Sequence, residues 1–258
     1  MSSPRLPAET LDHIIDFLHD ATPTLRNCCL VSKSWIPRTR KYIFADITFH
    51  TEKDLESWKE TFPDPSTSPA NYTQTLFVNC AYSVTLMDAE AGGWIRGFTR
   101  VVHLELGGLG RPPRGLGVSL APFHGLSPAI KSLRVVFAFV ISPRILNLIF
   151  SLPLLEDLAL ITYGAQTGGG GGFPIPVTKP SNPPAFTGSL ELSRAGITAV
   201  ARGLLSLPSG IHSRNLALTW SREEELSLVM ELLEGCSHTL ESLDITCNSS
   251  GPSLLHLL

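Results

Sequence analysis

The sequence is poor in charge. Asp, Glu, Lys and Arg make up only 17% of its 258 residues, against about 25% in an average soluble chain. The net charge is −3, so there is no basic excess of the kind that binds nucleic acid or anionic membrane surfaces. No apolar run approaches the roughly 20 residues of a transmembrane helix, and no signal-peptide apolar segment is present. These absences predict a cytosolic or nuclear protein whose partners are neither nucleic acid nor membrane.

The patterns that hold metals or carry catalysis are also missing. The five cysteines contain no C-x-x-C pair, and no two of the eight histidines have zinc-ligand spacing. The glycine run from Gly168 to Gly172 is followed by Phe173-Pro174, so it lacks the Lys and hydroxyl groups of a phosphate-binding loop. There is no G-x-S-x-G nucleophile motif. We therefore predict no catalytic residues, no metal and no cofactor.

What the sequence does have is an ordered set of apolar residues near its start. Leu11, Ile14, Ile15 and Leu18 fall at i, i+3, i+4 and i+7, which predicts one apolar face of a helix that begins near Pro7. A unit this small cannot bury its apolar residues alone. It must pack against the rest of the chain or against another protein.

Two further short helices are predicted after this one. Thr22 is expected to be the N-cap of the second helix, with Pro23 at its first position. Ser32 is expected to cap a third helix that runs through Trp35 and ends at Pro37. Together the three helices are predicted to form a module over residues 1–46.

This order of residues resembles the F-box, the helical module that docks a substrate receptor onto the Skp-type adaptor of a cullin–RING ubiquitin ligase. The resemblance covers residues 4 to about 46, and the turn from His19 to Thr24 is longer than the family's usual turn. It implies ten residues that contact the adaptor or form the module's own core: Leu6, Pro7, Leu11, Ile14, Ile15, Leu18, Leu25, Leu30, Val31 and Trp35. A short helical cap on a larger domain is the alternative.

The rest of the chain contains a repeated strand pattern. Pairs of apolar residues separated by one residue recur every 25 to 32 residues: Leu76/Val78, Leu104/Leu106, Leu133/Val135, Leu158/Leu160, Leu190/Leu192, Leu216/Leu218 and Leu243/Ile245. The intervening segments predict helices after Ser142-Pro143, from Gly196 to Leu205, and from the capping box at Ser221 to Gly235. Such units bury their apolar faces by stacking.

The copy from Leu240 to Asn248 matches the pattern L-x-x-L-x-L-x-x-N, and the pattern resembles leucine-rich repeats. The predicted fold is therefore α/β: a three-helix F-box-like module, then an irregular leucine-rich-repeat solenoid with a curved parallel sheet inside and helices outside. Residues 47–72 are a linker or irregular first repeat with a strand at Ile47 to Phe49, and residues 73–258 are the repeat domain. A disordered Gly/Pro-rich loop is expected over 164–185. An ordinary α/β fold with parallel strands is the alternative.

In the predicted strands the leucines point into the core and the alternating residues point to solvent. Seven outward residues are predicted to bind a partner on the concave face: Phe77, His103, Glu105, Arg134, Asp157, Glu191 and Asp244. Four are acidic and one is basic, which favours a basic or neutral partner segment; the alternative is that they only keep the sheet soluble.

The apolar ending Leu254 to Leu258 predicts a truncated chain or pairing with another protein.

The order of docking helices and repeats resembles F-box proteins with leucine-rich repeats, which are substrate receptors of SCF-type ubiquitin ligases. The resemblance implies a Skp-type adaptor, through it a cullin, and a substrate protein as partners. Such a receptor performs no chemistry and raises the effective concentration of a substrate lysine near the conjugating enzyme. A repeat scaffold acting outside a ligase and an α/β enzyme stay open as alternatives.

Overall fold

The structure is a computed structural model that describes residues 7–79, 92–109, 120–126, 128–137, 143–162, 184–193, 197–207, 210–220 and 225–247. Several predictions lie outside these residues. They concern Leu6, the capping box at Ser221, Asn248, the Gly/Pro-rich loop up to residue 183, and the apolar ending after residue 250.

The fold is α/β, with one sheet of eight parallel strands whose spatial order is their order along the chain. The strands are β1 Asp46–Phe49, β2 Thr75–Asn79, β3 His103–Leu109, β4 Ser132–Phe137, β5 Asp157–Thr162, β6 Ser189–Ser193, β7 Asn215–Trp220 and β8 Ser242–Cys247. All predicted strands are confirmed. The strand order never reverses, unlike in a doubly wound sheet, and it fits a parallel-sheet solenoid.

The register of the sheet aligns the apolar pairs into two rows. The first row runs through Ile47, Leu76, Leu104, Leu133, Leu158, Leu190, Leu216 and Leu243, and the second begins two residues later on each strand. From β2 to β7 both rows are 0–2% exposed and lie in one continuous core. On β8 the expectation of burial is wrong, since Leu243 is 46% and Ile245 is 40% exposed. In the described part of the chain no further unit packs beyond this strand.

The same backbone hydrogen bonds recur at the entry to successive strands. The N–H groups of Gln74 and Thr75 both donate to the carbonyl of Ala45, at 2.8 and 3.0 Å. Pairs of consecutive N–H groups donate in the same way to five later carbonyls, those of Gln74, Val102, Lys131, Gly188 and Arg214. Six strands, β2 to β5, β7 and β8, are thereby fixed to the unit before them. At β6 the Gly188 N–H donates to the Glu156 carbonyl, and the Ser189 N–H donates to Asp157 Oδ1.

Helices cover the buried face of the sheet. The predicted helices are confirmed as α7 Pro143–Phe150, α8 Ile197–Leu205 and α9 Leu226–Cys236. Two single-turn helices, α5 Gly92–Ile95 and α6 Ala121–His124, lie between earlier strands, and a 3-10 helix spans Pro69–Tyr72.

Helix α4, Glu52–Thr61, was not predicted and lies in the segment assigned as a linker. It begins with a capping box: the Asp54 N–H donates to Thr51 Oγ1, and the Thr51 N–H donates to Asp54 Oδ2 at 2.8 Å. This local pattern was available in the sequence. The helix buries Leu55 against the core.

Candidate functional site

The N-terminal residues form α1 Ala8–Phe17, α2 Thr22–Val31, a 3-10 helix Lys33–Trp35 and α3 Ile36–Ile43. The cap at Ser32 is confirmed, because its hydroxyl accepts from the Ser34 N–H at 3.3 Å. The expectation that Pro37 ends this segment is wrong, since Pro37 lies in the first turn of α3. A proline is tolerated there because first-turn N–H groups have no partner within the helix.

The turn predicted from His19 to Thr24 is shorter in the structure, because Pro23 also lies in the first turn of a helix. Helix α2 already begins at Thr22, with Ala21 as its N-cap, and Pro23 lies in its first turn. Thr22 is therefore not the N-cap, and the connection between α1 and α2 has only the four residues from Leu18 to Ala21.

A polar cluster joins α1 to α3. The Asp16 carboxylate accepts from Arg38 Nε at 2.7 Å, from a second Arg38 nitrogen, and from the Tyr42 hydroxyl at 2.6 Å. The two-pronged arginine pair is the strong form of this interaction. The hydrogen bond from Arg38, followed by that from Tyr42, holds the pKa of Asp16 far below its usual range. The bond to Asp16 in turn raises the pKa of Tyr42.

Replacing Asp16 by Asn is expected to lower the melting temperature of the chain by several degrees at pH 7. The depressed pKa means that the ionised carboxylate stabilises the fold above about pH 4, the usual pKa of an unfolded Asp. That contribution disappears as the pH falls, so the difference between wild type and Asp16→Asn should narrow towards pH 3. Circular dichroism melts at both pH values measure it. Asp12→Asn, on the exposed side of α1, is the matched control, and an equal effect of both substitutions would contradict the role of Asp16.

The structure divides the ten residues that the sequence associated with adaptor docking. Ile15 and Leu25 are 1% and 0% exposed and form the core between the helices. Leu11, Leu18 and Trp35 are half-buried. Exposed side chains belong to Pro7, Ile14, Leu30 and Val31, and Leu6 lies outside the described residues.

The exposed apolar side chains are large. Leu30 is 85% and Val31 69% exposed on α2, and Ile14 is 42% exposed on α1. Phe17, which the sequence interpretation missed, is 85% exposed at the end of α1. Four of the nine large apolar side chains exposed in the described residues thus lie on these two short helices. Contiguous exposed apolar patches on proteins are typical of surfaces that bind other proteins.

The second candidate surface is the solvent-facing side of the sheet. The register brings Glu105, Arg134, Ala159, Glu191, Ala217 and Asp244 into one row across strands β3 to β8. Arg134 Nε lies 3.7 Å from Glu105 Oε1, and Arg134 Nη1 lies 3.7 Å from Glu191 Oε2. Arg134 reaches the second carboxylate across β5, where Ala159 leaves room. Arg134, the one basic residue among the seven predicted, therefore lies between two of the predicted acidic residues.

The remaining predicted face residues differ in their surroundings. Asp244 and His103 are exposed, and Phe77 is half-buried with its ring 5.5 Å from the ring of His50. Asp157 Oδ1 accepts from the Ser189 N–H at 2.6 Å, so its carboxylate fixes the start of β6.

Asp46 is an exposed acidic residue in register with Thr75 at the end of this face. The sequence interpretation missed it because β1 was not counted among the repeated strands.

Replacing Gly188 by Ala is expected to destabilise the sheet by about 1–3 kcal/mol, the cost of leaving a polar group without its partner. A Cβ at Gly188 would overlap the Asp157 carboxylate and displace it from Ser189. The double variant Gly188→Ala/Asp157→Ser should lose less stability in urea unfolding than the two single variants together. Strict additivity of the two losses would contradict the clash.

Comparison with known proteins gives no relative: no family model, no curated protein and no solved structure matches the chain. Within the described residues, no helix has the length and apolar character needed to cross a bilayer. The same residues contain no group of three His, Cys, Asp or Glu side chains placed to hold a metal ion.

Proposed function

We propose that the chain is the substrate receptor of an SCF-type cullin–RING ubiquitin ligase. Its N-terminal helices are an F-box-like module that binds a Skp-type adaptor and, through it, a cullin. The sheet and its helices are a leucine-rich-repeat-like domain that binds the substrate protein. The observation that carries the proposal is the exposure of Phe17, Leu30 and Val31 on a module whose own core is closed by Ile15 and Leu25.

The energetic argument concerns what these side chains do in water. Burying a large apolar side chain contributes about 1.5–3 kcal/mol. The module leaves at least three such side chains mostly exposed although it has a closed core of its own. While exposed, these side chains contribute no burial free energy to the stability of the fold, whereas their burial against a partner contributes to affinity. The apolar face of an adaptor protein provides that burial.

The sheet supports the substrate-binding half of the proposal. Two rows of apolar residues fix the strands in register, so the outward residues form a regular, solvent-facing surface. Arg134 offsets only one of the two negative charges of Glu105 and Glu191. Together with Asp244, this leaves a net negative charge on the face. A basic or neutral substrate segment fits this net charge.

The proposal is tested by mixing the purified full chain with a purified Skp-type adaptor. We expect one complex of one copy each in size-exclusion chromatography with light scattering, and addition of the cullin should produce the ternary complex. Failure to form the complex at about 100 µM, where a Kd of 1 µM would give near saturation, would contradict the docking role. That result would favour a scaffold acting outside a ligase.

A further inference from the structure

The charges of the N-terminal helices are segregated along the chain. Residues 7–20 carry four carboxylates and no Lys or Arg, and residues 21–45 carry no carboxylate and five basic residues: Arg26, Lys33, Arg38, Arg40 and Lys41. Arg38 is bound to Asp16, and Lys41 lies 5.5 Å from the ring centre of Tyr42. Among the described residues, the exposed guanidinium groups of Arg26 and Arg40 form no ion pair and no side-chain hydrogen bond.

These two arginines flank a groove between α2 and α3. The groove has a volume of about 350 Å³ and is lined by Arg26 and Cys29 of α2, by Ile36, Arg40 and Ile43 of α3, and by Phe44. Ile36, Arg40 and Ile43 share one helical face because they are spaced at i, i+4 and i+7. The groove therefore combines an apolar lining with two cationic side chains.

The apolar surface continues beyond the groove. Leu30 lies one helical turn after Arg26 on α2 and is 85% exposed. The groove itself is near the lower limit of small-molecule sites, about 300 Å³, and its arginines are exposed rather than enclosing. A protein segment that covers both the groove and Leu30 fits this surface better than a small ligand that occupies the groove alone.

We propose that the α2–α3 groove receives an acidic segment of the Skp-type adaptor, with a large apolar side chain between Ile36 and Ile43 and carboxylates on Arg26 and Arg40. The inference rests on the proposed adaptor docking and adds the chemistry of the docked segment. Covering the groove removes water from two guanidinium groups, and a partner without acceptors would leave them unpaired. Carboxylates satisfy them, because the planar guanidinium matches a carboxylate in two-pronged geometry.

The test measures the Kd of the full chain for the purified adaptor by calorimetry. Arg26→Glu/Arg40→Glu should raise the Kd about 10- to 100-fold, because it places like charges opposite each other. Lys53→Glu/Arg202→Glu changes the net charge equally at exposed positions of α4 and α8 and should leave the Kd unchanged. The wild-type affinity should fall as NaCl rises from 50 to 300 mM, because the Debye length shortens from about 14 to about 6 Å. The affinity of the Glu variant should not fall over the same range.

Arg26→Gln/Arg40→Gln is the second variant, used in case the Glu variant does not fold, and it should raise the Kd by a smaller factor. Equal affinity of the folded variants and the wild type, without salt dependence, would overturn the groove assignment and leave adaptor docking intact. Absence of adaptor binding by the wild type would overturn both. The two failures are therefore distinguishable.

Discussion

Replacing Leu30 and Val31 by Gln is expected to raise the Kd for the Skp-type adaptor at least 100-fold. Each side chain contributes about 1.5–3 kcal/mol when it is buried, and an amide brought into an apolar interface without a partner costs about 1–3 kcal/mol more. A change of 1.4 kcal/mol is tenfold in Kd. The substitutions add no charge, so they test the apolar part of the surface separately from the arginines of the α2–α3 groove.

The fold of the module should survive these substitutions. Leu30 and Val31 are 85% and 69% exposed, and Gln is a better helix former than Val. Leu154→Gln is the matched control, because Leu154 is 54% exposed between α7 and β5 and should not affect adaptor binding. An unchanged Kd of the double variant, with an unchanged circular dichroism melt, would place the adaptor contact elsewhere.

The second large effect is expected at the centre of the sheet. Leu133→Ala should lower the free energy of unfolding by about 2–5 kcal/mol, a large part of the 5–15 kcal/mol of a typical domain. Leu133 is 0% exposed on β4, between Leu104 and Leu158 of the neighbouring strands. A cavity there cannot be closed by movement of one side chain, because both flanking strands are fixed by their own hydrogen bonds.

Leu243→Ala is the matched control for this prediction. Leu243 occupies the same row on β8 but is 46% exposed, so its truncation should cost less than about 1 kcal/mol. Urea unfolding of both variants gives the comparison. Equal losses would contradict the exposure of β8 and would show that its apolar face is covered in solution as that of β4 is.

The strands could be predicted because their signal is local. Alternating apolar residues of the type Leu133/Val135 specify both a strand and its buried face within three residues. The regular recurrence of the pair favoured stacked units over a doubly wound sheet, and the structure gives the strand order. Helix α4 could also have been found from Thr51 and Asp54. The prolines misled the interpretation at Pro37, because a proline that ends one helix and a proline that begins the next look alike in sequence.

The candidate site could be predicted only in part. Helical periodicity placed Ile14 and Ile15 on one apolar face, yet one is 42% and the other 1% exposed. That difference depends on how the neighbouring helices pack against α1. The periodicity of α1 alone does not reveal this packing. The contact of Asp16 with Arg38 and Tyr42 joins residues 22 and 26 positions apart, and Arg134 reaches Glu191 across an entire strand. Such contacts arise from tertiary packing and leave no local pattern.

The sequential strand order has a consequence for how the chain folds and comes apart. Each strand pairs only with strands adjacent to it in the chain, so every pairing closes a loop of about one unit, and folding can begin at any unit and spread. Cooperative unfolding of such an array depends on the interfaces between adjacent units. Leu133→Ala should therefore broaden the unfolding transition as well as shift it. A protease should cut near β8 before it cuts the central strands, because within the described residues β8 pairs only with β7 and its Leu243 and Ile245 are exposed.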